Sequence, residues 1–228
     1  MGSEFFQRFI SLIGVFVILG IALLLSENRK KIPFKAILSG LALQFIFALI
    51  IIKTDGKIIF QWIGELVNKI LGYTEIGAGF IFGKLVSDYN IGAIFAFKVL
   101  PTIIFFSSLM SVLYYLGIMQ FVVKIIAKAI LKLMGTSGAE TLCCTSNIFL
   151  GQTEAPLVIR PYIEKMTSSE IMSMMVGGFA TISAGVMAAY ISFGIDACHL
   201  IAASVMAAPG ALVMAKIFRP ETEEPVTK

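Results

Sequence analysis

Residues 146–156 read Ser146-Asn147-Ile148-Phe149-Leu150-Gly151-Gln152-Thr153-Glu154-Ala155-Pro156. An amide, a hydroxyl and a carboxylate stand side by side in a chain that is otherwise strongly apolar. The segments on either side are short, fourteen residues from Ser137 to Leu150 and ten from Pro156 to Lys165. At about 1.5 Å per residue these make helices of roughly 20 and 15 Å. Neither covers the roughly 30 Å hydrocarbon core of a bilayer. Charged residues mark both outer ends, Glu140 on one side and Arg160, Glu164 and Lys165 on the other. Two half-length arms meeting at a polar turn describe a re-entrant hairpin over 137–165. A membrane-surface loop with Glu154 in water is the competing reading. Gly151, lacking a Cβ, is expected to permit the turn. Pro156 is expected to open the return helix, where its missing N–H has no intrahelical partner to lose.

The membrane setting follows from composition. Hydrophobic residues are 58% of the chain and charged residues only 14%, with a mean hydropathy of +0.93. Soluble domains are about a quarter charged, so this is an all-α polytopic membrane protein. The net charge of +4 gives no reason to expect nucleic acid. Cys143, Cys144 and Cys198 match no metal-ligand spacing and read as packing residues. The first apolar run is followed by Glu27, Arg29, Lys30 and Lys31 without a small-residue cleavage site, which reads as a retained helix.

Five spans are expected: Phe9–Leu25, Ala36–Ile52, Val99–Val123, Ile171–Ile195, and Leu200–Ala215 extended past Lys216. Arg29, Lys30, Lys31 and Lys35 fill the first connection, so the positive-inside rule makes it cytoplasmic and puts the N-terminus outside. Counting spans from there brings Lys124, Lys128, Lys132, Arg160, Lys165, Lys216, Arg219 and the tail to Lys228 to the cytoplasmic side. Asp196 and His199 fall at an outer turn. Two amphipathic stretches are expected along the bundle rim. In 57–72, Ile59, Trp62, Ile63, Leu66 and Ile70 oppose Lys57, Gln61, Glu65, Asn68 and Lys69. In 120–134, Ile125, Ile126, Ala129, Ile130 and Leu133 oppose the lysines. Between 76 and 97, Gly77, Gly79, Gly83 and Gly92, with Lys84 and Asp88, read as a connection. The chain thus divides into 1–56 (two spans), 57–98 (interfacial helix and connection), 99–136 (third span and surface helix), 137–165 (hairpin) and 166–228 (two spans and tail).

Non-helical backbone at membrane depth is tolerated only where protein encloses it or water reaches it. Carbonyls released at the end of the first arm suit a hard cation, and N–H groups opening the second suit a carboxylate. Gln152 both donates and accepts, and Thr153 offers a hydroxyl, a set matched to a planar, hydrogen-bonding solute. The small residues of Gly177-Gly178-Phe179-Ala180-Thr181-Ile182-Ser183-Ala184-Gly185 permit close helix contact, as a cation site shared by Asn147 and Thr181 requires. Simple packing, a cap at Asn147 and a back-bonded Thr181 are the alternatives. The physics supports a broken-helix transporter site, with solute and ion open.

The run 147–161 (NIFLGQTEAPLVIRP), Met166-Thr167-Ser168-Ser169-Glu170, the segment 177–182 and 201–209 (IAASVMAAP) resemble the concentrative nucleoside transporter family, over essentially the whole chain. The resemblance implies a non-enzymatic, multi-pass plasma (inner) membrane protein that is homotrimeric and takes up nucleosides with sodium by an elevator mechanism. Carried over by motif, Gln152, Thr153 and Glu154 contact the nucleobase and Val186 lines its pocket. Asn147 and Thr181 give side-chain oxygens to sodium, and Leu150, Thr181 and Ile182 give carbonyls. Thr181 stands where the sodium-binding members are associated with serine. No cofactor is implied beyond sodium as the coupling ion. Family members are longer, and a second half supplies the ribose contacts. This sequence reads as one half of an inverted-repeat transporter, which needs that second half to complete the site. Proton coupling, another polar solute, and an inactive five-span structural fragment are the remaining alternatives.

Overall fold

A computed structural model describes residues 2–53, 56–87 and 95–227, and every regular element among them is helical. Asp88 and Gly92, together with the side chains of Lys57 and Ile59, lie outside what it describes. Helix α1 (Gly2–Leu24) and α2 (Phe34–Lys53) form the first pair, joined by a 3-10 turn at Arg29–Lys31. Then come α3 (Gly56–Phe82), the single turn α4 (Lys84–Ser87), α5 (Phe95–Tyr115) and α6 (Ile118–Met134). The hairpin is α7 (Gly138–Ser146) and α8 (Ala155–Val158), and α9 (Ser168–Ala180), α10 (Ala184–Ser192) and α11 (Ala197–Phe218) complete the bundle. By length and composition, 96–115, 168–192 and 197–218 suffice to cross a membrane, and Ile13–Leu24 and Phe34–Ile50 are shorter apolar helices.

Several boundaries differ from the sequence reading, each for a local reason. The third span stops at Tyr115 instead of Val123, because Gly117 adopts φ +79° and turns the chain into α6. The buried side of α6 is Met119, Val123, Ala127, Ile130 and Met134, while Ile125 and Leu133 are exposed. The face is therefore rotated from the expected one, because α6 packs on α2 and α7 together. Helix α3 continues ten residues past Gly72 to Phe82. Its inward side is Ile63, Gly64, Val67 and Leu71, with Trp62 and Leu66 facing out. His199 lies exposed in the first turn of α11, and not in a loop.

Side-chain and backbone contacts gather the connections at one end of the bundle. The Glu27 N–H donates to the Phe218 carbonyl at 2.9 Å. The Arg219 guanidinium meets both oxygens of Glu27, at 2.5 and 2.8 Å. Thr227 accepts from the N–H groups of Gly138 (2.9 Å) and Ala139 (2.9 Å). Thr167 Oγ1 donates to Glu221 at 2.9 Å. The basic 29–31 turn, the start of α7, the start of α9 and the tail beyond Arg219 therefore share one side, as their charges require of neighbouring loops. The first arm of the hairpin begins at that side and the second returns to it, as a re-entrant hairpin over 137–165 requires.

That end holds a buried ionic cluster. Ser137 and Glu140 form a capping box at the start of α7, and Thr167 and Glu170 form a second at the start of α9. Each glutamate satisfies orphan N–H groups of its helix. The two boxes are joined where the Ser137 hydroxyl donates to Glu170. Lys216 Nζ reaches Glu140 at 2.8 Å, Ser169 at 2.9 Å and Glu221 at 3.4 Å. Ser173 donates to Glu140 at 2.7 Å. Glu140 is 0% exposed and Lys216 4%. These residues bolt α7, α9 and α11 together.

Candidate functional site

The first arm, α7, is buried on almost every side although it is polar. Thr141, Thr145 and Ser146 donate to the carbonyls four residues back at 2.6, 2.7 and 2.7 Å, which removes the cost of their hydroxyls. The arm ends at Asn147, and tight turns carry the chain to Gly151. The return arm is shorter than expected. It is one α-turn with Pro156 in the second helical position, continued by a 3-10 segment, Arg160–Lys165. Gly151 is not in a left-handed conformation, so freedom of φ is not the reason for it. Its N–H donates instead to Glu154 Oε2 at 3.0 Å, closing the tip on itself.

Opposite the tip, the fourth span is broken. Helix α9 ends at Ala180, residues 181–183 are non-helical with Thr181 and Ser183 extended, and α10 restarts at Ala184, its N-cap Ser183 accepting from the Val186 N–H at 3.4 Å. The sequence reads as one continuous span because every residue at the break is small or apolar. The Ala184 N–H, freed by the break, donates to the Phe149 carbonyl at 3.0 Å and pins the tip to the unwound segment. A Cβ on Gly151 would sit 3.6 Å from Ser183 Cβ, and one on Gly185 3.2 Å from Ser107 Oγ. Ser107 is about halfway along α5, so the tip lies near the middle of the bundle.

Asn147 is fully buried, and neither its Oδ1 nor its Nδ2 has a hydrogen-bond partner among the described residues. An amide left in this state costs about 1–3 kcal/mol for each unsatisfied group. Its position is that of a cap, yet its side chain caps nothing. Thr181 Oγ1 donates to the Gly177 carbonyl at 2.9 Å, which confirms back-bonding and leaves the oxygen lone pairs directed away from the helix. No hydrogen bond reaches the carbonyls of Leu150, Thr181 or Ile182 among the described residues. The candidate donors are one amide oxygen, one hydroxyl and backbone carbonyls, all hard and neutral, the chemistry a monovalent cation would call for.

Gln152, Thr153, Glu154 and Val186 are all exposed. Glu154 borders a cavity of about 520 Å³ with Ser107, Ser111, Tyr114, Gln120 and Ser183. The α5 side of that cavity was not anticipated from sequence. Its signal was the polar spacing Ser107, Ser111, Tyr114 on one face of an apolar span.

A helical membrane protein with a re-entrant hairpin facing a discontinuous span has the architecture of a secondary transporter. Residues 13–85 match the family model for the N-terminus of Na+ dependent nucleoside transporters, and residues 96–197 match the model described as nucleoside recognition. The chain belongs to the concentrative nucleoside transporter family and matches its N-terminal half. It is 50% identical over 220 residues to the Sodium/nucleoside cotransporter 1 of Rattus norvegicus, covering 96% of this chain and 33% of that protein. An uncharacterized transporter of Haemophilus influenzae is 48% identical over 94% of this chain and 52% of its own length. CNTnw in an inward-facing substrate-bound state superposes with a TM-score of 0.92 at 41% identity, over 96% of this chain and 54% of that one. A variant of CNTnw in an outward-facing state gives 0.91. The chain thus spans about a third to a half of the relatives it matches.

Proposed function

We propose that this chain forms the first half of a sodium-coupled nucleoside symporter. The single observation carrying the reading is Asn147, a buried amide with no hydrogen-bond partner among the described residues, at the end of the first hairpin arm. In this reading Asn147 and Thr181 give side-chain oxygens to sodium, while Leu150, Thr181 and Ile182 give carbonyls. A cation there would restore the interactions the amide oxygen lacks, and asparagine has no proton to exchange, which favours sodium over proton coupling. Gln152, Thr153 and Glu154 receive the nucleobase, with Val186 beside it. Their exposure in this half is consistent with a second half closing over them and supplying the ribose contacts. The carboxylate of Glu154 is oriented by the Gly151 N–H, so that it accepts from a base N–H. The full protein is proposed to be a homotrimer in the plasma membrane, with the basic end of the bundle cytoplasmic. The tip and its ligands travel as an elevator against the remaining spans, with 1–56 in the static part.

Uptake of labelled uridine by the full-length protein, in sodium against choline at fixed pH, tests this. Sodium-dependent uptake is expected, with Asn147→Ala raising the half-saturating sodium concentration at least about tenfold, the equivalent of one lost interaction of about 1.4 kcal/mol. Sodium-independent, acid-stimulated uptake would overturn the coupling assignment. Uptake of another polar solute without any nucleoside would overturn the substrate.

A further inference from the structure

We infer that Gly177 and Gly178 are two separate positioning residues, the first seating the cation-site asparagine and the second seating the base-contacting glutamine. The inference rests on the roles proposed above for Asn147 and Gln152. On the helix α9 the two glycines are adjacent and buried, so their missing side chains point about 100° apart. Each meets a different part of the hairpin. A Cβ on Gly177 would lie 2.8 Å from Cys144 Sγ, 3.4 Å from Cys144 Cα and 3.3 Å from Asn147 Nδ2. The thiol cannot turn aside freely, because it donates to the Ser173 carbonyl at 3.2 Å. A methyl group at 177 therefore presses on the end of α7 and on the orphan amide itself. A Cβ on Gly178 would lie 2.9 Å from Gln152 Cβ and 3.4 Å from Gln152 Cα. Those atoms are fixed to the backbone, so no rotamer change of Gln152 relieves the contact. The tip must move instead. Close approach of α9 to the hairpin thus has two functions divided between neighbouring positions, beyond general packing.

Adjacent alanine substitutions should therefore separate the two affinities. In the full-length protein, the half-saturating sodium concentration is measured at saturating uridine, and the uridine KM at saturating sodium. A displacement of about 1 Å at a site costs about a hundredfold, so a shift of a few tenths of an ångström should cost about tenfold. Gly177→Ala is expected to raise the sodium value about tenfold with the uridine KM within about twofold. Gly178→Ala is expected to do the reverse. Parallel changes in both constants for both variants, or no change in either, would overturn the inference. If Gly177→Ala expresses poorly, Gly177→Ala/Cys144→Ala removes the 2.8 Å sulfur contact and keeps the 3.3 Å contact with Asn147. It should recover expression and retain the sodium defect, and recovery of both would refute the role of Gly177. Should the unsubstituted protein show no sodium dependence, the coupling assignment fails. The Gly178 arm then still stands or falls on its own uridine KM.

Discussion

Lys216 carries the most exacting stability prediction. It is 4% exposed and its ammonium touches Glu140, Ser169 and Glu221. Glu140, 0% exposed, has that buried ammonium as its counter-charge, and Glu221 shares it. Replacing it with methionine preserves most of the side-chain volume and leaves the carboxylates without a counter-charge. Breaking a buried ion pair from one side costs about 3–5 kcal/mol, whereas removing both charges is often nearly neutral. Each kcal/mol is worth about 2–4 °C for 150–250 residues and about half that for a protein twice as long, so Lys216→Met should lower the full-length protein's thermal midpoint by roughly 5 °C. Glu140→Gln should cost less, because the amide oxygen still accepts from the Ser137 N–H and Lys216 keeps Glu221 as a counter-charge. In Lys216→Met/Glu140→Gln more than half of the loss should be recovered. The measurement is a double-mutant cycle on detergent-solubilised full-length protein, followed by fluorescence-detected size exclusion after heating. Strict additivity of the two changes, or a Lys216→Met midpoint within about 2 °C of the unsubstituted protein, would refute the cluster as a fastening of α7 to α11.

Two further outcomes follow from single contacts. At Gly40 a Cβ would collide with Val213 Cγ2 and meet Met134 Cε at 2.7 Å; Gly40→Ala should destabilise by about 1–3 kcal/mol, and Val213→Ala in the same chain should return most of it in the same heating assay. Asp196 caps α11 through the Cys198 N–H at 2.7 Å, a bond that holds its carboxyl below the usual carboxylate value. A lowered folded value means that the cap's contribution is present above the unfolded carboxylate pKa and is lost as pH falls through the folded one. The gap in midpoint between the unsubstituted protein and Asp196→Ala should therefore close on acidification, and a gap that is constant with pH would exclude the carboxylate as its source.

How much of this could be read from the residues depends on which physical signal carried it. The hairpin was legible because length is a hard constraint: ten and fourteen residues cannot cross a bilayer, whatever they pack against. Its end of the bundle was legible from charge, since Arg29–Lys31, Lys165 and Arg219 had to lie together. The break at 181–183 was not, because the small hydroxyl residues Thr181 and Ser183 around apolar Ile182 carry no breaker signal within an apolar run. The Ala184 N–H that the break frees is satisfied by the Phe149 carbonyl, a contact 35 residues away in sequence. The ionic cluster was half legible. Ser137-x-x-Glu140 and Thr167-x-x-Glu170 are the same capping signature, and two such boxes flanking a hairpin mark two helix starts at one level. Charge alone suggested solvent, yet Glu140 and Lys216 are buried because each satisfies the other. The same principle separates them from Asn147. Every buried charge in the cluster has found its partner within this half, whereas the Asn147 amide has none here. A fold that satisfies Glu140, Glu170 and Lys216 so completely does not leave an amide unpaired for want of donors nearby. The asymmetry is what makes the tip, and not the better-connected cluster beneath it, the candidate site on which the proposed cation binding rests.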